Sequence, residues 1–372
     1  MSALNMLRAA AMAALTTVAL SAGPAAAQDY PELRAAGAEL QEHHFKVIGN
    51  WSNSPTWIFS QEPFWNEKLP ELTGGKLTAD ISSMTELNLK GPETLRLIKL
   101  GMADVIDTIA NYAAGDAPEL DGVDLAGVAP DFDSALKAVS AYTPAIKDAL
   151  QERLGLVPIA MGPSNAQIFW CNVPITGIED LQGKKVRGYS ATMADLIGAL
   201  GATPVTMAYS EVPAALQRGV IDCAITGALT GNVSKLFEVT THVYPLAVAW
   251  APWIRAFSTK SWEALDPATQ EWVTQASETI FMDMNTDVAR EASDQGVWCS
   301  TSDERCTWGE EHDVTKANLT LVEVTEADRE VLKKAVESTV LPAFAKACGP
   351  DCTARWNESI GKAMGLTAKA PE

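Results

Sequence analysis

The chain contains one sequence pattern twice, with the two copies more than 100 residues apart. In each copy a strand-like run is followed by a glutamate. An aliphatic residue comes five residues after this glutamate, a glycine eight residues after it and an aspartate eleven residues after it. The members are Glu93, Ile98, Gly101 and Asp104 after the run 46–48, and Glu211, Leu216, Gly219 and Asp222 after the run 185–187. Such a period is too long for a solenoid repeat. It predicts two α/β lobes of one plan, with a ligand-binding cleft between them.

Length and charge limit the class of protein. The 372 residues are enough for two domains with separate cores. The formal net charge is −19, and the acidic residues are spread along the chain without forming a run. A surface of this charge repels nucleic acids and anionic membranes, so neither is an expected partner.

Residues 1–27 have the composition of a secretory signal peptide. Arg8 supplies the positive charge, the stretch 9–20 is largely apolar, and the alanines at 25–27 fit a signal-peptidase site. The apolar stretch is too short for a lasting membrane span, and no other segment approaches about 18 apolar residues. We therefore expect an exported protein with a cleaved leader and no stable membrane anchor.

The cysteine content fits an oxidising compartment. The six cysteines predict two local disulfides and one long-range pair: Cys299–Cys306, Cys348–Cys352 and Cys171–Cys223. For the long-range pair, two buried free thiols are the alternative. A zinc site is the rival interpretation, but it is not expected, because no C-x-x-C pair or nearby histidine cluster completes one.

The order of predicted elements places the lobes along the chain. Strand-like segments at 167–173 and 243–258 run between the lobes and predict a hinge built from strands. A long helix is predicted from Asp266–Pro267 to about Ala292, with apolar positions that could span both lobes. Lobe one is predicted at 45–165 and 253–290, and lobe two at 166–252 and 291–372.

Motifs for catalysis are missing from the sequence. It has no nucleophile elbow, zinc-protease motif, phosphate loop or dinucleotide-binding motif. His43 and His44 are adjacent, so their side chains diverge, and His242 and His312 lie far away. We therefore expect no catalytic residue, cofactor or metal. An exported enzyme that acts on a small organic acid in the cleft is the alternative.

Arg187 is the main candidate for an anion contact. It ends the strand-like run 185–187, where an α/β lobe presents side chains to its cleft. Its guanidinium can give a carboxylate or another oxyanion two parallel charge-assisted hydrogen bonds. The equivalent residue in the first copy is Ile48, so the copies differ at this position. The alternative is an exposed arginine in a surface salt bridge.

Two motifs around this arginine resemble the DctP-like solute-binding proteins of TRAP (tripartite ATP-independent periplasmic) transporters. They are Asp180-Leu-Gln-Gly-Lys-Lys-Val-Arg187 and the stretch 204–222, which contains Ser-Glu-Val and ends in Ala-Leu-Gln-Arg-Gly-Val-Ile-Asp. The similarity extends over about 45–290. It implies a two-lobe α/β clamshell with hinge strands and a long helix spanning both lobes. Such a periplasmic receptor captures a small organic anion and delivers it to the TRAP membrane permease subunits.

The resemblance also implies the ligand contacts. Arg187 matches the arginine that grips the ligand carboxylate, and Tyr209 matches the aromatic residue that packs on the ligand. Asn50 and Trp51 match the end of the first strand, and Thr226 matches a polar contact four residues after the repeated aspartate.

Gln167 departs from the pattern of many relatives. It stands where members with acidic ligands carry a second arginine, so the resemblance implies a monocarboxylate in preference to a dicarboxylate. In the family architecture the strand through Gln167 lies antiparallel to the strand through Thr226. One register then brings Cys171 opposite Cys223 and, to within one residue, Gln167 opposite Thr226, so it holds Gln167 beside Thr226 at the cleft end of lobe two.

Overall fold

The computed structural model describes residues 30–309 and 313–371. The predicted leader, residues 1–27, and His312 lie outside the described residues. Within the described ranges, no helix is both long and apolar enough to cross a bilayer.

Two sheets form the framework of the described residues. Sheet one has the strand order β2-β1-β3-β10-β4, and sheet two has the order β11-β9-β5-β8-β6-β7. The strands are β1 (His43–Gly49), β2 (Leu77–Ser83), β3 (Val105–Ile109), β4 (Leu156–Gly162), β5 (Gln167–Cys171), β6 (Lys185–Gly188), β7 (Thr203–Thr206), β8 (Cys223–Gly227), β9 (His242–Ala249), β10 (Trp253–Ser258) and β11 (Thr320–Leu321).

The helices pack around these sheets. Short 3-10 and π-helical turns precede or extend several of them. The α-helices are α1 (Pro31–Gly37), α2 (Leu69–Leu72), α3 (Glu93–Lys99), α4 (Glu119–Gly122), α5 (Phe132–Ala149), α6 (Ala191–Ala199), α7 (Val212–Gln217), α8 (Ala228–Val233), α9 (Thr259–Glu263), α10 (Pro267–Ala276), α11 (Met282–Ser300), α12 (Glu326–Ala335), α13 (Leu341–Cys348), α14 (Pro350–Trp356) and α15 (Lys362–Met364).

The sequence repeat corresponds to a structural repeat. The parallel strands β2-β1-β3 of sheet one have their counterpart in the parallel strands β7-β6-β8 of sheet two. The inner strands β3 and β8 are buried along their whole length. Parallel strands that are covered on both faces are expected to be continuously apolar, as these nearly are. The predicted two-lobe α/β fold is confirmed.

The aspartate, glycine and glutamate of the repeated pattern have the same local task in both copies. The carboxylates of Asp104 and Asp222 accept the backbone N–H of Lys46 and Lys185 at 2.8 and 2.7 Å. These bonds tie the start of β3 to β1 and the start of β8 to β6. The glycines of the pattern follow α3 and α7 with φ of 71° and 66°, a conformation that favours glycine at a helix end. The glutamates accept a backbone N–H three residues upstream.

Two chain crossings connect the lobes. The chain passes from β4 to β5 through residues 163–166 and returns from β9 to β10 through 250–252. As a result, β5 lies antiparallel beside β8 in sheet two, and β10 lies antiparallel beside β3 in sheet one. The predicted hinge of strands is therefore present, although the predicted lobe bounds stay a prediction.

A continuous helical segment runs from Pro267 to Ser300 through α10, a π-helical turn and α11. Trp272, near its start, donates to the carbonyl of Leu33 at 2.8 Å. Ser293, near its end, accepts the backbone N–H of Ala166 at 2.9 Å. The helix therefore spans both lobes, as predicted, and extends eight residues beyond the expected end at Ala292.

The sulfur atoms of all three predicted cysteine pairs are bonded. The local disulfides Cys299–Cys306 and Cys348–Cys352 close short loops. The Cys171–Cys223 disulfide joins β5 to β8, and both residues are fully buried.

Candidate functional site

A cavity of about 50 Å³ lies between the two lobes. It sits at the carboxyl ends of β1, β3, β6 and β8, where open α/β sheets bind ligands. All six residues that the sequence predicts as ligand contacts line it. The lining consists of Asn50, Trp51, Ser54, Thr56, Ile109, Tyr112, Ser164, Gln167, Arg187, Tyr189, Tyr209, Thr226, Gly227, Thr230 and Ala251. The ligand roles of these residues stay a prediction.

Arg187 is held by the backbone of its own lobe. Its side chain is 1% exposed, its Nε donates to the carbonyl of Met207 at 3.1 Å, and its Nη1 donates to the carbonyl of Ile225 at 2.7 Å. A guanidinium has five N–H donors, so three have no acceptor among the described residues and remain for another partner. Burial lowers the pKa of this guanidinium, but arginine keeps its charge in proteins.

Arg255 shows how the same chain treats a buried arginine in the core. It is fully buried, and Asp107 accepts from both its Nε and its Nη2 at 2.7 Å. Arg187, in contrast, forms no salt bridge with any carboxylate of the described residues. A buried charge without a counter-ion is costly. The arrangement at Arg187 therefore fits a guanidinium whose counter-ion comes from outside the chain.

Asn50 and Trp51 form the lobe-one side of the cavity. The Oδ1 of Asn50 accepts the backbone N–H of Trp51 at 3.0 Å, and the backbone N–H of Asn50 donates to Gln61 at 2.8 Å. These bonds fix the turn after β1. The Trp51 ring lies 5.8 Å from the Tyr112 ring and 5.2 Å from the Tyr209 ring, which makes an aromatic wall.

The register of β5 against β8 is the one expected from the cysteine pair. Cys171 lies opposite Cys223, and Gln167 lies opposite Gly227, the residue that follows Thr226. Gln167 and Thr226 are therefore diagonal neighbours across the two strands. Both side chains line the cavity because β5 begins where β8 ends.

Sequence reasoning missed the remaining lining residues, above all Tyr112 and Tyr189. Tyr112 follows the end of β3, and Tyr189 lies just after the end of β6. The general rule for strand ends could have identified both of them. Burial raises the pKa of Tyr112, Tyr189 and Tyr209, so all three remain neutral phenols at physiological pH.

Contacts at the cleft join the two lobes. Lys90 of lobe one forms a salt bridge of 3.2 Å with Glu211 of lobe two. Asn53 donates to Ser234 at 3.1 Å, and Ser234 also hydrogen-bonds to the hydroxyl of Tyr209. These contacts hold the lobes together around the cavity, as in a closed clamshell.

Asp124 connects the site to the hinge. Its two carboxylate oxygens accept the backbone N–H groups of Trp250 and Ala251 at 2.9 Å each, on the return crossing between the lobes. Burial nevertheless raises the pKa of Asp124 to about 7. Asp121, one helical turn before it, also has its pKa raised by burial, to about 6.

This shift predicts a pH-dependent stability. The folded protein binds a proton at Asp124 between about pH 4 and pH 7, where the unfolded chain has lost it. The contribution of this group to the free energy of unfolding is therefore present at low pH. It falls by about 1.4 kcal/mol for each pH unit as the pH rises through that window. The measurement is denaturant unfolding of wild type and Asp124→Asn across the window. Stability curves that run parallel would contradict the assignment.

The acidic, histidine and cysteine side chains of the described residues do not form an ion site. Within 30–309 and 313–371, no group of three or more His, Cys, Asp or Glu side chains is arranged to hold a metal ion.

Comparisons with known proteins agree with the fold. The model of the DctP family, described as "Bacterial extracellular solute-binding protein, family 7", matches residues 48–298. A solute-binding protein of Roseobacter denitrificans is 29% identical over 268 residues, covering 69% of this chain and 79% of the relative. The C4-dicarboxylate-binding periplasmic protein DctP of Rhodobacter capsulatus is 22% identical over 259 residues, covering 66% and 77%.

Solved structures show the same fold. A TRAP periplasmic solute-binding protein from a Sulfitobacter species, with β-D-galacturonate bound, has a TM-score of 0.72 at 20% identity, covering 86% of this chain and all of that one. A Bordetella pertussis extracytoplasmic solute receptor that binds pyroglutamic acid has a TM-score of 0.72 at 18% identity, covering 86% and 99%. Because the family model covers more than half of the sequence and the fold agrees, this chain belongs to the DctP family of bacterial extracellular solute-binding proteins.

Proposed function

We propose that this chain is the periplasmic receptor of a TRAP-type secondary transporter and that it captures a small organic monocarboxylate. The receptor binds the acid between its lobes, closes over it and delivers it to the membrane permease subunits. Export through the predicted leader is part of this proposal.

The observation that carries the proposal is the unpaired charge of Arg187. The guanidinium is buried, fixed by two backbone carbonyls, and has three donors left over at a cavity between two lobes. A carboxylate accepts two parallel hydrogen bonds from such a group. Ligand binding would therefore supply the missing counter-ion in a site from which closure excludes water.

The charge of the residues that line the cavity supports a ligand with a single negative charge. Among the described residues that line the cavity, Arg187 is the only one with a charged side chain. Gln167, at the position where the resemblance places a second arginine, uses its Nε2 to donate to the carbonyl of Asn165 at 2.9 Å. A second carboxylate would enter the closed cleft without a cationic partner, which is costly.

This arrangement predicts a preference among ligands. We expect compact monocarboxylates to bind at least about tenfold more tightly than C4 dicarboxylates such as succinate and malate, a difference of about 1.4 kcal/mol or more. Isothermal titration calorimetry of both classes measures it. The variant Gln167→Arg should narrow the difference because it adds a second cation at the cavity. Preferential binding of a dicarboxylate by the wild type would contradict the monoanion assignment.

The same site could serve an enzyme, and the two functions differ in their products. A receptor binds one equivalent of acid and releases it unchanged. Incubating the protein with a bound acid and following the acid by NMR separates the two, because conversion of the acid would support the exported enzyme. We infer a receptor because the described cavity offers an anion contact and aromatic walls but no carboxylate or histidine among its lining residues.

A further inference from the structure

Lobe one offers the cavity hydrogen-bond donors that the protein does not use. The indole Nε1 of Trp51 is buried and has no acceptor among the described residues. The Oδ1 of Asn50 accepts a backbone N–H, while its Nδ2 has no hydrogen bond to the described protein. Both residues line the cavity and are 3–7% exposed.

Lobe two has a comparable group. The hydroxyl of Tyr189 is buried and lacks a hydrogen-bond partner within the described residues, although the side chain lines the cavity. The hydroxyl of Tyr209, in contrast, is bonded to Ser234. Trp51 and Tyr189 are thus the two lining residues that carry a buried, unpartnered polar atom.

An unpaired buried donor is unfavourable, and a ligand that supplies an acceptor removes that penalty. The acceptor cannot be a second carboxylate, because the single cation of the lining is already matched by the first. It must therefore be a neutral oxygen, such as a hydroxyl, ketone or lactam oxygen. Because Trp51 and Tyr189 line the same cavity as Arg187, this oxygen lies close to the carboxylate.

The positions of these groups give the two ends of the ligand separate partners. Arg187 and Tyr189 belong to lobe two, whereas Trp51 and Asn50 follow β1 in lobe one. A carboxylate held by Arg187 leaves the neutral oxygen to the unpaired donors of the same cavity, which are Trp51 and Asn50 on lobe one and the Tyr189 hydroxyl beside the arginine. The contact with Trp51 and Asn50 forms only when the lobes are closed, so it couples recognition of the neutral oxygen to closure.

We propose that Trp51, supported by Asn50 and Tyr189, selects monocarboxylates that carry a neutral acceptor oxygen close to the carboxylate, such as 2-hydroxy, 2-oxo and lactam acids. This proposal rests on the proposed function, since it names the ligand class of the same site. Trp51 acts here as a specificity-determining residue. Its ring forms part of the aromatic wall of the cavity, and its indole N–H donates a hydrogen bond to the neutral oxygen of the ligand.

The test uses pairs of acids that differ in this oxygen. The pairs include 2-hydroxyisobutyrate with pivalate, and pyroglutamate with cyclopentanecarboxylate, measured by calorimetry. We expect the wild type to bind the oxygenated member of a pair about 10- to 100-fold more tightly. Trp51→Phe keeps an aromatic ring but lacks the N–H, so this ratio should fall towards one. Trp262→Phe makes the same change away from the cavity and should keep the wild-type ratio.

Tyr189→Phe provides a second test if Trp51→Phe does not fold. It should also lower the ratio of the affinities for the oxygenated and the oxygen-free acid of a pair. Equal binding of both members of every pair, or an unchanged ratio in a folded Trp51→Phe protein, would overturn the proposal and leave the receptor function standing. If no acid of either kind binds to the wild type, the receptor function and this selectivity both fail.

Discussion

Replacing Arg187 by alanine is expected to remove most of the ligand affinity while the protein still folds. Loss of one partner of a buried, hydrogen-bonded charge pair typically costs roughly 2–5 kcal/mol, or about 30- to several thousand-fold in affinity. Arg187→Lys should also bind poorly because an ammonium group cannot give the two parallel hydrogen bonds. Calorimetry measures the affinity, and thermal unfolding without ligand measures the fold.

The unliganded stability distinguishes this arginine from a structural one. Arg187 has no counter-ion within the described residues, so its removal leaves no carboxylate unpaired. Arg255→Ala would instead leave Asp107 buried without its partner, so we expect that variant to be strongly destabilised. Near-native ligand affinity in a folded Arg187→Ala protein would show that the anion binds elsewhere. A collapse in stability like that of Arg255→Ala would mean that Arg187 is a structural residue.

The two-lobe plan could be predicted from the sequence because local bonds encode it. Asp104 and Asp222 recur at the same offset since each ties the start of one strand to its parallel neighbour. Gly101 and Gly219 recur because the chain leaves each helix with a positive φ. These hydrogen bonds and helix ends are formed within a single lobe. The residues that form them therefore recur at the same spacing in both copies, and the spacing can be recognised in the sequence.

The details of the cleft could not be predicted in the same way. The Lys90–Glu211 salt bridge joins residues of different lobes, and no sequence motif predicts that these two residues form a pair. Tyr112 and Tyr189 are single aromatic residues whose place depends on where two strands end.

A difference between the two copies of the repeat explains why the cavity is lined by a single cation. Ile48 in β1 and Arg187 in β6 occupy equivalent positions, since each pairs with the second residue of the next parallel strand, Ile106 or Ala224. Lobe one therefore presents an aliphatic residue where lobe two presents a guanidinium. Two similar lobes thus form an asymmetric site, with the charge on one side and the Asn50 and Trp51 donors on the other.

Loss of the Cys171–Cys223 disulfide should have the second large effect, on stability. The bond closes a loop with a sequence separation of 52 residues, and the loop-entropy model gives roughly 4 kcal/mol for it. Replacing both cysteines by alanine should lower the free energy of unfolding by about that amount. The matched control is the double alanine variant of Cys299 and Cys306, which are separated by 7 residues and for which the model gives roughly 2 kcal/mol.

The same disulfide fixes the strands that carry the site. It sets Cys171 opposite Cys223, and this register places Gln167 and Thr226 at the cavity and Ile225 where its carbonyl accepts from Arg187. We therefore expect the double variant of the long-range pair to lose ligand affinity as well as stability, whereas the control loses stability alone. Denaturant unfolding and calorimetry measure the two effects. Equal stability losses in both double variants, or an alkylated and unlinked Cys171 in peptide maps of protein produced in a bacterial periplasm, would contradict this role.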